Sequence, residues 1–400
     1  MKVLVADAFP KERLADLAAL GLEVEARPEV PPKELPAAAA GASILVVRGK
    51  QVSAEVFEKG EALSLVIRAG AGVNTIDVAA ASRRGVYVAN CPGQNAIAVA
   101  ELAIGLMVAL DRRIPDNVAQ LRAGKWNKKE FSEAQGLHGR TLGVAGLGSI
   151  GREVVRRAQA LGMHVVVWSR SLDEAGARAL GVDRAPDMAA VARAADYLSL
   201  HLPLTAETRG VVSREVLAAL RPGAGLVNTA RAELVDQAAL LEAVKAGRLR
   251  LATDVFAGEP EKGKADFASE LAQLPGVYGT HHIGASTTQA QEAIARETVR
   301  IVTAFVRTGE VPNCVNIARK TPARARLVVR HRDRVGVLAE VLGRIREAGI
   351  NVEGMRNTVF ESAAAASAAI DLDSIPDAAL LDRIRARAED VLFVDCFELG

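Results

Sequence analysis

Three segments place polar side chains directly after apolar, strand-like runs: LVNTARAELVD (226–236), ATDVFAGEP (252–260) and GTHHIGAST (279–287). In a doubly wound sheet that edge is where ligands bind. Arg231 offers a planar fork for a carboxylate. His282 is suited to take a hydroxyl proton near neutral pH. Glu259 beside it would fix the ring and favour the imidazolium that forms. Together the three suit the oxidation of a 2-hydroxy acid. Taken singly, Arg231 reads as well as a surface residue of the next helix, and Glu259 as a loop carboxylate. His281 and His282 adjoin, in a chain with six histidines. Extended backbone turns successive side chains to opposite faces, so one of the two is expected to face away from the site.

Upstream, LGVAGLGSIG (142–151) fits G-x-G-x-x-G at Gly146, Gly148 and Gly151. A strand-like run precedes it and a helical run, REVVRRAQALG, follows it. Such a turn brings backbone N–H groups and a helix N-terminus to a dinucleotide pyrophosphate. The next strand, VVVWSRS, is expected to end in an acid that holds the adenosine ribose, but Ser169 and Arg170 stand there. A hydroxyl and a guanidinium suit a 2′-phosphate better. The expected cofactor is NAD or NADP, and this pair leans towards NADP. The alternative is two solvent-facing loop residues beside NAD.

The elements that must position these groups alternate strand and helix. Short Val/Ile-rich runs (MKVLVAD, ASILVVRG, LSLVIRAG, VYVAN, TLGVAGLG, HVVVWSR, DYLSLHLP, GLVNTA and LRLATDVF) are separated by helical patterns, as in βαβ units around parallel sheets. Four runs lie before residue 91 and a second series begins at Thr141, which predicts two α/β domains. The stretch 97–110 is too short to cross a bilayer and carries Glu101, so it reads as a buried helix. Residues 285–309 form another helix, capped by Ser286 or Thr287 and ended by Gly309. Residues 311–324 read as a linker, and 325–400 read strand, helix, strand, strand, helix, strand, a ferredoxin-like α+β order.

Composition narrows the function classes. The 50 basic and 48 acidic residues nearly cancel, which offers no electrostatic reason for a nucleic acid or anionic membrane partner. Three distant cysteines lack metal-ligand or disulfide spacing, so no metal is expected and a reducing cytoplasm is. MKVLVADAFPKER reads as a strand and not as a signal peptide.

The motifs NTARAELVD, DVFAGEP and HIGAST, with GLGSIG upstream, resemble the D-isomer-specific 2-hydroxyacid dehydrogenases over residues 1 to about 318. The resemblance implies that Arg231, Glu259 and His282 are catalytic and that His281 fills a position usually held by proline. It implies a cofactor seat of Gly146, Gly148, Ser149, Ile150, Gly151, Leu202, Pro203, Thr229, Ala230, Arg231, His282, Gly284 and Ala285, with Asp254 on the nicotinamide amide. RAGAGVN (68–74) resembles the substrate loop, with Ala71, Gly72 and Asn74 at the carboxylate, and Arg48 resembles the position that meets a distal phosphate. It further implies two Rossmann-like doubly wound parallel-sheet domains: a discontinuous substrate domain (1–95 and 283–318) and a dinucleotide domain (96–282), hinged by the two long helices. Ala232 stands where the family has glycine after the arginine.

Residues 325–400 resemble an ACT domain, a regulatory α+β module that binds amino acids between paired copies. Asp333-Arg334-Val335-Gly336-Val337-Leu338 replaces the usual D-R-P-G-V-L. The combination implies a small phosphorylated 2-hydroxy acid as substrate, a homodimer or homotetramer, and L-serine as effector at His331, Asp333 and Asn351. Competing readings are a glyoxylate or hydroxypyruvate reductase and a nucleotide-sensing corepressor of the same fold.

Overall fold

The computed structural model describes residues 1–260, 264–318, 321–386 and 389–399. Runs such as ILVV and YLSL are buried at every position, as expected of strands covered on both faces. Five of these short strands, β1 (Lys2–Val5), β2 (Glu23–Ala26), β3 (Ile44–Val47), β4 (Leu65–Arg68) and β5 (Tyr87–Asn90), form a parallel sheet in the order β2-β1-β3-β4-β5. A second parallel sheet holds β6 (Thr141–Ala145), β7 (His164–Trp168), β8 (Asp183–Arg184), β9 (Tyr197–Leu200), β10 (Ala224–Asn228), β11 (Leu249–Thr253) and β12 (Val277–Gly279). Its order is β12-β11-β10-β9-β6-β7-β8, so the chain reverses its winding between β6 and β9. Beyond the nine expected runs, these sheets contain β2, β8 and β12, each on a sheet edge. An edge strand is short and half solvated, so its apolar pattern is weak.

The helix Ala96–Arg112 carries the chain from the first sheet to the second, where Ala103, Leu106, Met107 and Leu110 join Leu142, Val144 and Tyr197 in one core. The helix Thr288–Thr308 returns to the first sheet through Ile294, Ile301 and Val302. Thr287 is its cap, accepting from the Ala290 N–H, and Gly309 ends it at φ 74°. The chain divides into two compact units, residues 1–316 and 317–400. Both parallel sheets lie in the first unit, which is not divided further near residues 95 and 283.

The second unit is an antiparallel sheet of β13 (Ala325–Arg332), β14 (Val352–Val359), β15 (Ala365–Leu372) and β16 (Val391–Glu398) in the order β14-β15-β13-β16. The helices Val337–Glu347 and Ala378–Arg385 bury Val341, Ile345, Leu380 and Ile384 against Leu327, Val329, Ala368 and Ile370. Among the described residues no helix is long and apolar enough to cross a membrane.

Candidate active site

The turn after β6 is built for close backbone approach. Gly146 has φ 97°, and a Cβ there would lie 2.5 Å from the His201 carbonyl oxygen and 2.9 Å from Leu202. A Cβ on Gly151 would collide with the Gly146 carbonyl, which fixes how tightly the helix Ser149–Ala160 sits on the strand. Beside Gly148 there is open space. No side chain caps this helix, and the N–H groups of Gly148, Ser149, Ile150 and Gly151 donate to no acceptor among the described residues. Two buried polar atoms at the same edge, Thr229 Oγ1 and His201 Nδ1, also lack partners. Free N–H groups at a helix start, room beside a glycine and unpartnered polar atoms fit a dinucleotide pyrophosphate. Burial holds His201 neutral, with its pKa lowered to about 4, and Ser199 Oγ lies 2.8 Å from its Nε2.

Across the switch point, Asn228 shapes the next turn. Its side chain accepts from the Ala230 N–H at 3.0 Å and donates to the Arg231 carbonyl at 2.9 Å. Arg231 follows in extended backbone, and Nη1 donates to the Ala230 carbonyl at 2.6 Å. A Cβ on Gly72 would stand 3.4 Å from Arg231 Nη2 and 3.0 Å from Asn74 Oδ1, so the arginine of the second sheet faces the 71–74 loop of the first. The N–H groups of Ala71, Gly72 and Val73 have no acceptor among the described residues, and the Ala71 carbonyl is held by Asn90 Nδ2. Ala232 begins a 3-10 turn at negative φ, so the missing glycine leaves no strain.

His282 Nδ1 lies 2.6 Å from Glu259 Oε2, while Glu259 Oε1 accepts from the Phe256 N–H at 2.6 Å. Burial raises the Glu259 carboxyl, but the hydrogen bonds from His282 and Phe256 and the charges of His282 and Arg231 outweigh it and hold its pKa below the usual value. The extended backbone expected at 281–282 is not present: His282 is left-handed at φ 53°. Asp254 causes this turn. Its carboxylate accepts from Thr280 Oγ1 at 2.6 Å, from the Ile283 N–H at 2.8 Å and from the Gly284 N–H at 2.8 Å, gripping the loop on both sides of His282. Asp254 is 1% exposed, with its carboxylate engaged in this clamp. His281 is exposed and makes no hydrogen bond among the described residues.

Two groups were not singled out in the sequence. One is Asn228, whose signal is an asparagine at a strand-to-turn junction. The other is Arg68, the last residue of β4, which folds over Gly70. Burial, then the positive charges of Arg231 and Arg48, lower its pKa, and its buried Nε has no partner. No ion pair neutralises Arg48, Arg68 or Arg231 among the described residues; Asp7 accepts from the backbone N–H groups of Arg48 and Gly49 and pairs with Lys50 at 3.6 Å.

In the second unit the three effector candidates do not meet. His331 is buried, with Nδ1 2.8 Å from the Arg332 carbonyl and Nε2 3.3 Å from Asn357 Oδ1. It pairs with Ala366 on β15, whereas Asn351 precedes Val352, which pairs with Leu372. Six residues of strand separate the two by about 20 Å. Asn351 donates instead to Glu353 at 2.8 Å, and Asp333 is exposed. One copy therefore cannot hold a small amino acid with all three.

Two parallel sheets meeting at their carboxyl ends, with a glycine-rich seat and an Arg/Glu/His set between them, define a dinucleotide-linked dehydrogenase architecture. The sequence profile of the D-isomer specific 2-hydroxyacid dehydrogenase NAD binding domain matches residues 104–284, and the chain belongs to that family. It is 39% identical over 350 residues to the D-3-phosphoglycerate dehydrogenase of Methanocaldococcus jannaschii, covering 86% of this chain and 64% of that one. It is 40% identical over 258 residues to the hydroxypyruvate reductase of Thermotoga maritima, covering 64% of this chain and 82% of that one. The NAD+-bound 3-phosphoglycerate dehydrogenase structure from Entamoeba histolytica superposes with a TM-score of 0.66 at 26% identity, over 79% of this chain and 99% of that one. The chain thus spans just under two thirds of the Methanocaldococcus relative's length.

Proposed function

We propose that the protein is a D-3-phosphoglycerate dehydrogenase, oxidising 3-phosphoglycerate to 3-phosphohydroxypyruvate in the cytoplasm as part of serine synthesis. The observation that carries this reading is the arginine group. Arg231 faces the 71–74 loop, and Arg68 and Arg48 stand near it without ion-pair partners, which suits a substrate with a carboxylate at one end and a phosphate at the other. A bound nicotinamide dinucleotide supplies the hydride acceptor, seated by the 146–151 turn and Thr229. Arg231 and the free N–H groups of 71–73 hold the carboxylate and polarise the adjoining C–O bond. His282 takes the hydroxyl proton through Nε2, because Nδ1 is held by Glu259. Glu259 orients the ring and stabilises its protonated form.

The Thermotoga relative favours a second reading, reduction of hydroxypyruvate or glyoxylate, and a basic 2′-phosphate site would agree with it. Incubation of the full chain with 3-phosphoglycerate, glycerate or glycolate and either dinucleotide, with the keto product trapped, separates the two. Preference for the phosphorylated acid is the expected result. Turnover of glycerate or glycolate alone would transfer the assignment to the reductase. Dinucleotide binding without turnover of any 2-hydroxy acid would leave a nucleotide-binding scaffold. The second unit is proposed to pair with that of another copy and to bind serine between them, a reading supported by the distance between His331 and Asn351.

A further inference from the structure

We propose that Ser169, Arg170 and Ser171, at the end of β7, bind the 2′-phosphate of NADP(H) and make this chain select the phosphorylated dinucleotide. The inference rests on the dinucleotide seat of the proposed dehydrogenase and specifies its cofactor.

Position comes first. Trp168 is the last residue of β7, in register with Ala145 of β6, and its carbonyl accepts from the Gly146 N–H at 2.8 Å. Residue 169 is therefore the first to leave the sheet beside the glycine turn, where the adenosine ribose would lie. A turn closes at once, with the Leu172 N–H donating to the Ser169 carbonyl at 3.3 Å. It brings the hydroxyls of Ser169 and Ser171 to 3.3 Å from each other.

Charge comes second. A free carboxylate here would favour NAD, by accepting from the ribose hydroxyls and repelling a 2′-phosphate. The two acids that next follow in the chain, and Glu207, are engaged. Asp173 caps the following helix by accepting from the Gly176 N–H at 2.7 Å, Glu174 pairs with Arg184 at 3.6 Å, and Glu207 accepts from the Thr205 hydroxyl at 2.6 Å. Arg170 is exposed and makes no hydrogen bond or ion pair among the described residues. Its charge reaches Glu207, in the loop that follows β9, so the guanidinium lies within electrostatic range of the cofactor-side loop. Two hydroxyls and an uncommitted guanidinium form a donor set for a phosphate dianion, and the turn offers no carboxylate to the unphosphorylated ribose.

The test is direct titration of the full chain, read by nicotinamide fluorescence and independent of turnover. NADPH should bind at least about tenfold tighter than NADH at low ionic strength, with the gap narrowing as salt is added. Arg170→Ala should weaken NADPH by about tenfold and leave NADH nearly unchanged, and Ser169→Asp combined with Arg170→Ala should reverse the preference. Equal or tighter NADH binding by the unaltered protein would overturn the assignment. So would an Arg170→Ala variant that loses both cofactors equally, since the arginine would then serve the shared adenosine. Turnover of a 2-hydroxy acid with NAD alone would remove this inference and keep the dehydrogenase, whereas selective NADPH binding without turnover would do the reverse.

Discussion

His282 meets Glu259 from a left-handed backbone, a conformation that costs a residue with a side chain about 1 kcal/mol or more. The three hydrogen bonds accepted by Asp254 offset that cost and hold the ring in place. Asp254→Asn puts a single acceptor oxygen where three donors converge. It should lower stability by about 2–3 kcal/mol and turnover by about tenfold, and an unchanged urea midpoint would show that the clamp is not needed. His282→Ala should reduce turnover by about 10²–10⁴ while dinucleotide affinity stays within about twofold. An active variant would remove the proton-transfer role. Glu259 adds a pH dependence of defined sign. Because its folded pKa is depressed, its contribution is complete above the unfolded value, about 4.3, and is lost as pH falls through the lower folded value. The carboxylate is about a third exposed, so the contribution is small, under about 1 kcal/mol. The melting-temperature difference between the unaltered protein and Glu259→Gln should therefore shrink as pH is lowered from 6 to 3, and a constant difference would contradict the pairing.

At the scale of elements, the glycine turn separates fold from binding. Gly151→Ala drives a Cβ into the Gly146 carbonyl, so the helix must shift. It should cost about 1–3 kcal/mol in urea unfolding and weaken the dinucleotide as well. Gly148→Ala meets only open space, and its φ of −75° suits any residue. That variant should unfold like the parent yet bind dinucleotide at least about tenfold more weakly. Equal loss of stability in both variants would mean that the turn is structural only. The long runs were legible because burial on both faces of a parallel strand leaves an unbroken apolar stretch, as in ILVV. The edge strands β2, β8 and β12 were not: β2 (EVEA) and β8 bury no residue, and β12 spans only three residues.

For the whole molecule, the carboxyl ends of two sheets bring Arg48 and Arg68 towards Arg231, although more than 150 residues separate them in the chain. Removing one of these charges should act on the substrate and not on the dinucleotide. Arg48→Ala should raise the KM for the phosphorylated acid by about tenfold or more with little change in the KM for glycerate. A parallel rise for both substrates would deny a phosphate role. In the second unit, the distance between His331 and Asn351 means that the proposed serine site would have to be shared between paired copies. Light scattering should then give a mass at least twice the 42.1 kDa of one chain, and serine should slow turnover. A serine response from a single chain would rule out the shared site.

The sequence by itself determined what depends on local spacing: the strand–turn–helix at Gly146, the order of the ferredoxin-like unit, and the Arg231, Glu259 and His282 segments at strand ends. A glycine pattern or an apolar run carries its geometry within a few residues, so it can be read directly. Tertiary structure decided the rest. The left-handed turn at His282 requires a carboxylate from β11's end, some 28 residues earlier in the chain. The environment of Arg68 requires Arg48 and Arg231 from other strands, and the separation of Asn351 from His331 is set by strand pairing. Each depends on groups that only packing brings together, and no short stretch of sequence records such a meeting.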